Sequence, residues 1–346
     1  MAMYFKSDNT APVAPEILAA ISAANHGYAR GYGDDDWSAQ LDARFSELFG
    51  REVRVFPVST GTAANTLALA TLVPPYGGIL THEEGHIVRD ECGAPEFMTG
   101  GARLMLMQGA GAKVTPAAID ALLTANPTSV HTVQPRALSL TQATELGTVY
   151  TPVELQAITQ LAHSRGLVVH MDGARFANAV ASLGCSPAAV TWQAGIDVLS
   201  FGATKNGALT AEAVVFFDPG RVSDFELRRK RAAHLLSKMR FVSAQLLAYI
   251  DDGLWLRLAG RANSLAARLG AAAGPLLMHP VQANEVFVRI GERGAARLRA
   301  LGFEFYDWGA SGSGEARLVV SWNQPEQHVD ALCEALAKFV SEGAAQ

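Results

Sequence analysis

With 346 residues and a net charge of −5, the chain is long enough for two hydrophobic cores and carries no basic footprint for DNA or RNA. Hydrophobic residues make up 49%, yet charges, Gly or Pro interrupt each apolar segment before it reaches the length of a bilayer span. The N-terminus has no basic region followed by an apolar run, and Cys92, Cys185 and Cys333 match neither a disulfide framework nor a zinc site. The expectation is a soluble protein of a reducing cytoplasm.

Ser7-Asp-Asn-Thr-Ala-Pro-Val-Ala-Pro15 leads into a predicted helix over Glu16–Ala24. Gly31-Tyr-Gly-Asp-Asp-Asp-Trp37 is a loop whose aspartates favour the start of a helix through Leu41, Phe45 and Leu48. Tyr32, between two glycines, is either a turn residue or a side chain leaning over a ligand. Arg54–Ser59 reads as a strand running into Thr60-Gly-Thr-Ala-Ala-Asn65, with an apolar helix over Thr66–Val73. That layout is either an ordinary capped helix or an anion site, where outward-pointing N–H groups and Gly61 admit a phosphate. The Gly-Lys-Ser/Thr ending of a Walker loop is absent.

His82-Glu-Glu-Gly-His86 is a literal zinc-protease pattern, which needs both histidines on one helical face. It follows the strand-like Gly77-Gly-Ile-Leu80 and contains Gly85, so the competing reading puts one histidine flat in a ligand pocket at a strand end. Ala102–Met107 is a predicted strand, and Thr115-Pro116 opens a helix. Ser129–Val133 and Ala137–Leu140 read as extended, leading into Thr141-Gln-Ala-Thr-Glu-Leu-Gly147. Thr151-Pro-Val-Glu154 is a capping box for a helix through Leu155, Ile158 and Leu161, stopping at Arg165-Gly166.

Leu167–Met171, Asp197–Phe201 and Ala213–Phe217 are apolar strands of the kind covered on both faces. Strands alternating with helices give an α/β fold with a mostly parallel sheet, and ligands then bind beyond the strands' carboxyl ends. Ser59, Asp172 and Lys205 all fall there. From Val222 to about Ala271 the chain is helical and basic, with Arg228-Arg-Lys-Arg231 and Lys238-Met-Arg240. This is a solvated face, or an arm bringing charge to a neighbouring subunit's phosphate. Glu285–Ile290, Phe303–Tyr306 and Arg317–Trp322, with a helix over Gln324–Val340, form a small α+β domain. The expected division is 1–250 and 251–346, with the N-terminal arm in the large part.

Asp172 and Lys205 could each be a mere turn or surface residue, but together at these strand ends they suit pyridoxal phosphate. That group needs a lysine for the imine, a carboxylate for the pyridine nitrogen, a phosphate cradle and an arginine for the substrate carboxylate. Lys205, Asp172, the Ser59–Asn65 turn and a late arginine answer in that order. A buried aspartate would otherwise be costly without a cation.

His170-Met-Asp-Gly-Ala-Arg175, Ser59–Asn65, Ser7-Asp-Asn-Thr10, Tyr32-Gly-Asp-Asp35 and a lysine near 205 together resemble the threonine aldolase family, across most of the chain and in matching order. The resemblance implies an aspartate aminotransferase-like, fold-type I pyridoxal-phosphate enzyme. Such an enzyme cleaves threonine, allo-threonine or phenylserine-type β-hydroxy-α-amino acids to glycine and an aldehyde by a retro-aldol reaction. It implies Lys205 as the imine lysine, Asp172 on the pyridine nitrogen, Arg175 near the phenolic oxygen, and Gly61 and Thr62 on the phosphate. His86 would stack on the ring as a base or water-positioning group, and Ser7 and Arg317 would grip the carboxylate.

Tyr32 and Arg240 would reach a neighbour's cofactor in a homodimer or tetramer. Where many members have Glu-Asn-Thr-His-Asn, this chain has Thr141-Gln-Ala-Thr-Glu145, so Thr144 replaces a histidine near the substrate hydroxyl, with Gln142 close by. Neutral side chains hold a hydroxyl without taking its proton. No metal, nucleic-acid or membrane partner is expected. The rivals are another fold-type I lyase, racemase or aminotransferase, a cofactor-binding relative without activity, and a zinc hydrolase using His82 and His86.

Overall fold

In the computed structural model, which describes residues 2–222 and 224–343, the apolar runs become strands of three sheets. In chain order the strands are β1 (Met3–Tyr4), β2 (Arg54–Val58), β3 (Gly77–His82), β4 (Arg103–Met107), β5 (Gln134–Thr141) and β6 (Val168–Gly173). They continue with β7 (Val198–Gly202), β8 (Glu212–Phe216), β9 (Glu285–Arg289), β10 (Phe303–Glu304), β11 (Tyr306–Trp308) and β12 (Glu315–Val319).

The large sheet runs β2-β8-β7-β6-β5-β3-β4. Its neighbours from β4 to β7 pair in parallel, and only β8 runs against both β2 and β7. All residues of β3, β7 and β8 are buried, as strands with helices on both faces require. The register sets Thr141, Asp172 and Ser200 side by side across β5, β6 and β7.

Local chemistry fixes the helices on this sheet. Thr151 and Glu154 make the reciprocal capping box: the Thr151 backbone N–H donates to Glu154 Oε2 at 2.7 Å and the Glu154 N–H to Thr151 Oγ1 at 3.2 Å. The helix after β2 spans Gly61–Leu72, five residues earlier than its expected start at Thr66 (66 − 61). Thr60 caps it, accepting from the Ala63 N–H at 3.2 Å, so the small residues belong to the first turn. Ser129–Val133 is a turn and not extended, because Thr132 Oγ1 accepts from the Ser129 N–H at 3.0 Å and donates to Pro127 O at 3.1 Å.

Two cores result. The first gathers Phe45, Phe49, Phe176, Phe201, Tyr249 and Trp255 beneath the sheet, with the Phe201 ring 5.2 Å from Phe45 and 5.9 Å from both Tyr249 and Trp255. The second packs Leu265, Leu269, Val286, Val288, Leu318 and Leu336 against the antiparallel sheet β11-β12-β9. The helix Leu254–Ala273 enters both. Met3–Phe5 joins the second core: β1 pairs with β10, and the Val319 N–H donates to Phe5 O at 2.8 Å. The tip of the arm is therefore tied to β10 and β12. No helix among the described residues is long and apolar enough to cross a membrane.

Phe201→Ala should cost about 3–5 kcal/mol, because it opens a cavity where four aromatic rings meet. Equilibrium denaturation of the variant beside the parent protein measures this.

Candidate active site

The carboxyl ends of β5, β6 and β7 open into a cavity of about 440 Å³ whose walls include Gly61, Thr62, Asn65, Glu145, Asp172 and Lys205. It continues outward into a larger space lined by Ser7, Tyr306, Trp308 and Arg317; Asn9, His86, Glu145, Arg175 and Lys205 line both.

One end of the inner cavity is the start of the helix Gly61–Leu72. The first N–H groups of a helix have no internal partner, and the helix dipole favours an anion there. A Cβ placed on Gly61 would meet no atom within 4 Å, so the glycine leaves open space where an anion's oxygens fit. Thr210 Oγ1 donates to Ser59 O at 2.6 Å, and Ser59 Oγ lies 3.1 Å from His234 Nδ1, which holds the rim.

Asp172 forms the floor and is only 4% exposed. Its Oδ2 accepts from Asn65 Nδ2 at 2.8 Å and its Oδ1 from the Ala174 N–H at 3.0 Å, both neutral donors. A buried carboxylate with no cation among these partners is expensive unless one arrives. The same Asn65 amide donates to Glu91 Oε1 at 2.9 Å, and Glu91 in turn holds His86 Nδ1 at 2.8 Å. This contact, against the opposing effect of burial and with help from Asp172, raises the His86 pKa. Burial pushes the Glu91 carboxyl up as well.

Lys205 sits on the turn Thr204–Asn206 directly after β7. Asn206 locks that turn from beneath, donating to Tyr249 OH at 2.7 Å and Trp255 O at 2.8 Å, while the Ala203 N–H donates to Glu212 Oε2 at 3.1 Å. Gly207 leaves the turn at φ +108°, and a Cβ there would press on Leu258 and Ala14 at 3.0 and 3.1 Å. Only glycine fits without strain.

The outer space is built from charge. Arg175 donates through Nε and NH2 to Asp8 at 2.8 and 3.1 Å, and its NH1 lies 3.4 Å from Glu285. Burial opposes ionisation of Asp8, but Arg175 and then Lys205 outweigh it and hold its pKa below the usual carboxylate range. Burial raises the Glu285 carboxyl despite Arg175 and Arg317. The Arg317 guanidinium lies 5.5 Å from the ring centres of both Tyr306 and Trp308, and its buried Nε has no partner among the described residues.

The structure brings Lys205, His86, Asp172, Arg175, Gly61 and Thr62 to the inner cavity, and Ser7 and Arg317 to its mouth. Gln142 and Thr144 go elsewhere. Gln142 is fully buried, exchanging hydrogen bonds with the Tyr150 backbone at 2.9 and 3.0 Å. Thr144 Oγ1 donates to Gly111 O at 2.9 Å and lies 2.9 Å from Thr148 Oγ1. Their places on the wall are taken by Thr141 at the end of β5 and by Ala143 and Glu145 in the bend that follows it.

Tyr32 and Arg240 line neither space. Tyr32 is 54% exposed at φ 59°, its ring 4.2 Å from Lys230 Nζ, and Arg240 donates to Gly27 O at 3.3 Å. The zinc pattern does not assemble: His82 ends β3 with Nε2 3.1 Å from Gly109 O, and its Nδ1 accepts from the Glu84 N–H at 3.1 Å, so both ring nitrogens are engaged. His86 opens the separate short helix His86–Arg89. Ligand atoms of His86, Glu91 and Asp172 do lie within 4.8 Å of one another, drawn together by the Asn65 amide. The sequence reading missed Glu91, Glu145 and Glu212; Glu145 lies in the turn beyond β5, where no strand alternation marks the inward side.

A lysine after a buried strand, a carboxylate on the neighbouring strand and a helix start beyond them define the site of a fold-type I enzyme, the aminotransferase-like class built on pyridoxal phosphate. The family model described as beta-eliminating lyase matches residues 4–293. A low specificity L-threonine aldolase of Pseudomonas sp. (strain NCIMB 10558) is 44% identical over 341 residues, covering 97% of this chain and 98% of the relative. One from Pseudomonas aeruginosa is 45% identical over 332 residues, covering 95% of each. The solved structure of Leishmania major threonine aldolase superposes with a TM-score of 0.91 at 27% identity, covering 98% of this chain and 99% of that one. The chain belongs to the threonine aldolases of the beta-eliminating lyase family.

Because the Glu91 contact is the main cause of the raised His86 pKa, Glu91→Gln should lower it. The His86 ring resonance, followed against pH in the cofactor-free protein, should titrate at lower pH in the variant.

Proposed function

We propose that this protein is a pyridoxal-phosphate-dependent lyase that cleaves β-hydroxy-α-amino acids such as threonine, allo-threonine or β-phenylserine to glycine and an aldehyde. One observation carries the reading. A single cavity holds Lys205, Asp172 and an open helix start inside, and an arginine with an unpartnered Nε at its mouth. The relatives named as low specificity L-threonine aldolases support the substrate class.

When bound, the pyridoxal group supplies an aldehyde for the amine and a ring that withdraws electrons from the substrate's Cα. Lys205 Nζ would carry it covalently, and the N–H groups of Gly61 and Thr62 would hold its phosphate. Asp172 would keep a proton on the ring nitrogen, which at last gives its buried carboxylate a cation. Arg175, already fixed by Asp8 and Glu285, would face the phenolic oxygen. Arg317 and Ser7 would hold the substrate carboxylate, leaving the Cα–Cβ bond directed inward toward His86 and Glu145. Tyr32 and Arg240, both away from this cavity, are assigned to the cavity of a neighbouring subunit in a homo-oligomer.

With pyridoxal phosphate added, the protein should gain visible absorbance and release aldehyde from L-threonine, L-allo-threonine or β-phenylserine. Lys205→Ala should lose both. A keto acid or a racemised amino acid in place of aldehyde would overturn the reading. Arg317→Ala removes a charged hydrogen bond of about 1.5–3 kcal/mol and should raise KM on the order of 10- to 100-fold with kcat less affected. Arg240→Ala should weaken cofactor retention in an assembly that light scattering shows to be at least a dimer.

A further inference from the structure

Glu145 lines the cavity and has no chemical step in the scheme above. It follows β5 and borders both the inner cavity and its mouth, alongside His86 and Lys205. Its hydrogen bonds fall on one oxygen: Oε1 accepts from Thr141 Oγ1 at 2.7 Å and from the His86 backbone N–H at 2.8 Å. Oε2 is buried and has no partner among the described residues. Leaving a buried carboxylate oxygen unpaired costs about 1–3 kcal/mol. Here, on the wall beside Lys205 and His86, one edge is clamped and the other has no partner among the described residues.

The charges around it come from several elements. Asp172 approaches from β6, Arg175 from the loop after β6, His86 from the short helix after β3, and Lys205 from the turn after β7. Glu91 stands behind His86, and Tyr150 lies beneath. Burial first, opposed by Thr141 and then reinforced by Asp172, pushes the Glu145 carboxyl up to about 7. A carboxyl in that range exchanges a proton near neutrality. His86 is less suited to accept one, because the buried Glu91 favours its protonated form.

We propose that Glu145 takes the proton of the substrate's β-hydroxyl as the Cα–Cβ bond breaks. The assignment rests on the lyase reading above. The hydroxyl proton passes to Oε2, and the O–H electron pair becomes the second bond of the aldehyde carbonyl. The Cα–Cβ pair stays on the glycine carbon, which then takes up a proton. No oxidant or reductant is needed, and in the reverse direction Oε2 returns the proton to the new hydroxyl. Thr141 and the His86 N–H act as positioning groups that turn Oε2 toward the substrate.

Glu145→Gln tests this, because the amide oxygen still accepts from Thr141 and the His86 N–H but takes no proton. In the parent protein, kcat/KM for β-phenylserine cleavage should fall tenfold per pH unit below about pH 7, since the base works only when deprotonated. The variant should lose on the order of 10²- to 10⁴-fold and show no such limb. It should still exchange the α-proton of glycine with deuterated water within a few-fold of the parent, a reaction that needs the loaded site but no hydroxyl.

In the cofactor-free protein, infrared difference spectra should show protonated-carboxyl absorption that disappears as pH rises through about 7, and the variant should lose the Glu145 component while keeping that of Glu212. Cleavage retained within a few-fold, cleavage and glycine exchange lost together, or an unchanged carboxyl band would each overturn the assignment. If the parent protein exchanges glycine but releases no aldehyde from any β-hydroxy amino acid, the lyase reading itself falls, before any substitution is made.

Discussion

A guanidinium largely withdrawn from water organises this molecule. Arg175 leaves the loop after β6 with its side chain only 11% exposed, and such a charge persists only if it is paired and hydrogen-bonded. Its partners come from far along the chain: Asp8, 167 residues earlier, and Glu285 at the start of β9. One buried charge thus ties the N-terminal arm, the large sheet and the C-terminal unit together at the rim of the cavity. Asn284, donating to Asp8 Oδ2 at 3.0 Å and to Val320 O at 2.9 Å, adds a second tie at the same place. The substrate mouth forms where these segments meet.

Within that frame the cavity concentrates acids. Glu145, Asp172 and Glu212 line its inner wall with Glu91 behind His86, and burial raises the carboxyl pKa of Glu91, Glu145 and Glu212, the last two to about 7. They are not interchangeable. Glu212 is tied to the backbone of the lysine turn, Asp172 to Asn65 and Ala174, and Glu91, set back from the cavity, to Asn65 and His86 through one oxygen, whereas Glu145 borders both the cavity and its mouth with one oxygen unpaired among the described residues. Position in a hydrogen-bond network, more than residue type, separates a structural acid from one that handles protons.

Much of the fold and part of the site were legible in the sequence. The apolar runs ending at Asp172 and Lys205 declared buried strands, and the capping box at Thr151 fixed a helix end, because both depend on neighbours within a few residues. The helix start at Gly61 was read too late, because small residues resemble a turn until the Thr60 cap is seen to serve Ala63. Gln142 and Thr144 were assigned to the substrate by alignment of a motif. They lie in the bend beyond the last β5–β6 pair, and bonds to Tyr150 and Gly111, not strand register, turn them away from the cavity. Glu91 and Glu145 were missed for the same reason: their meaning lies in His86, Asn65 and Thr141, which are not all near them in the chain.

The helix Leu254–Ala273 carries a consequence for motion. Twenty residues make a rod about 30 Å long, with Leu254, Trp255 and Ala259 in one core and Leu265, Ala266 and Leu269 in the other. Trp255 stacks on Phe176 at 6.1 Å, and Asn178 and Asn263 exchange hydrogen bonds of 3.0 and 2.8 Å, so the first half of the rod is pinned to the helix Phe176–Leu183 that follows β6. A hinge there would have to break that packing and those hydrogen bonds together. Tyr306, Trp308 and Arg317, on the sheet that packs against the second half of this rod, therefore share one rigid element with the wall of the inner cavity.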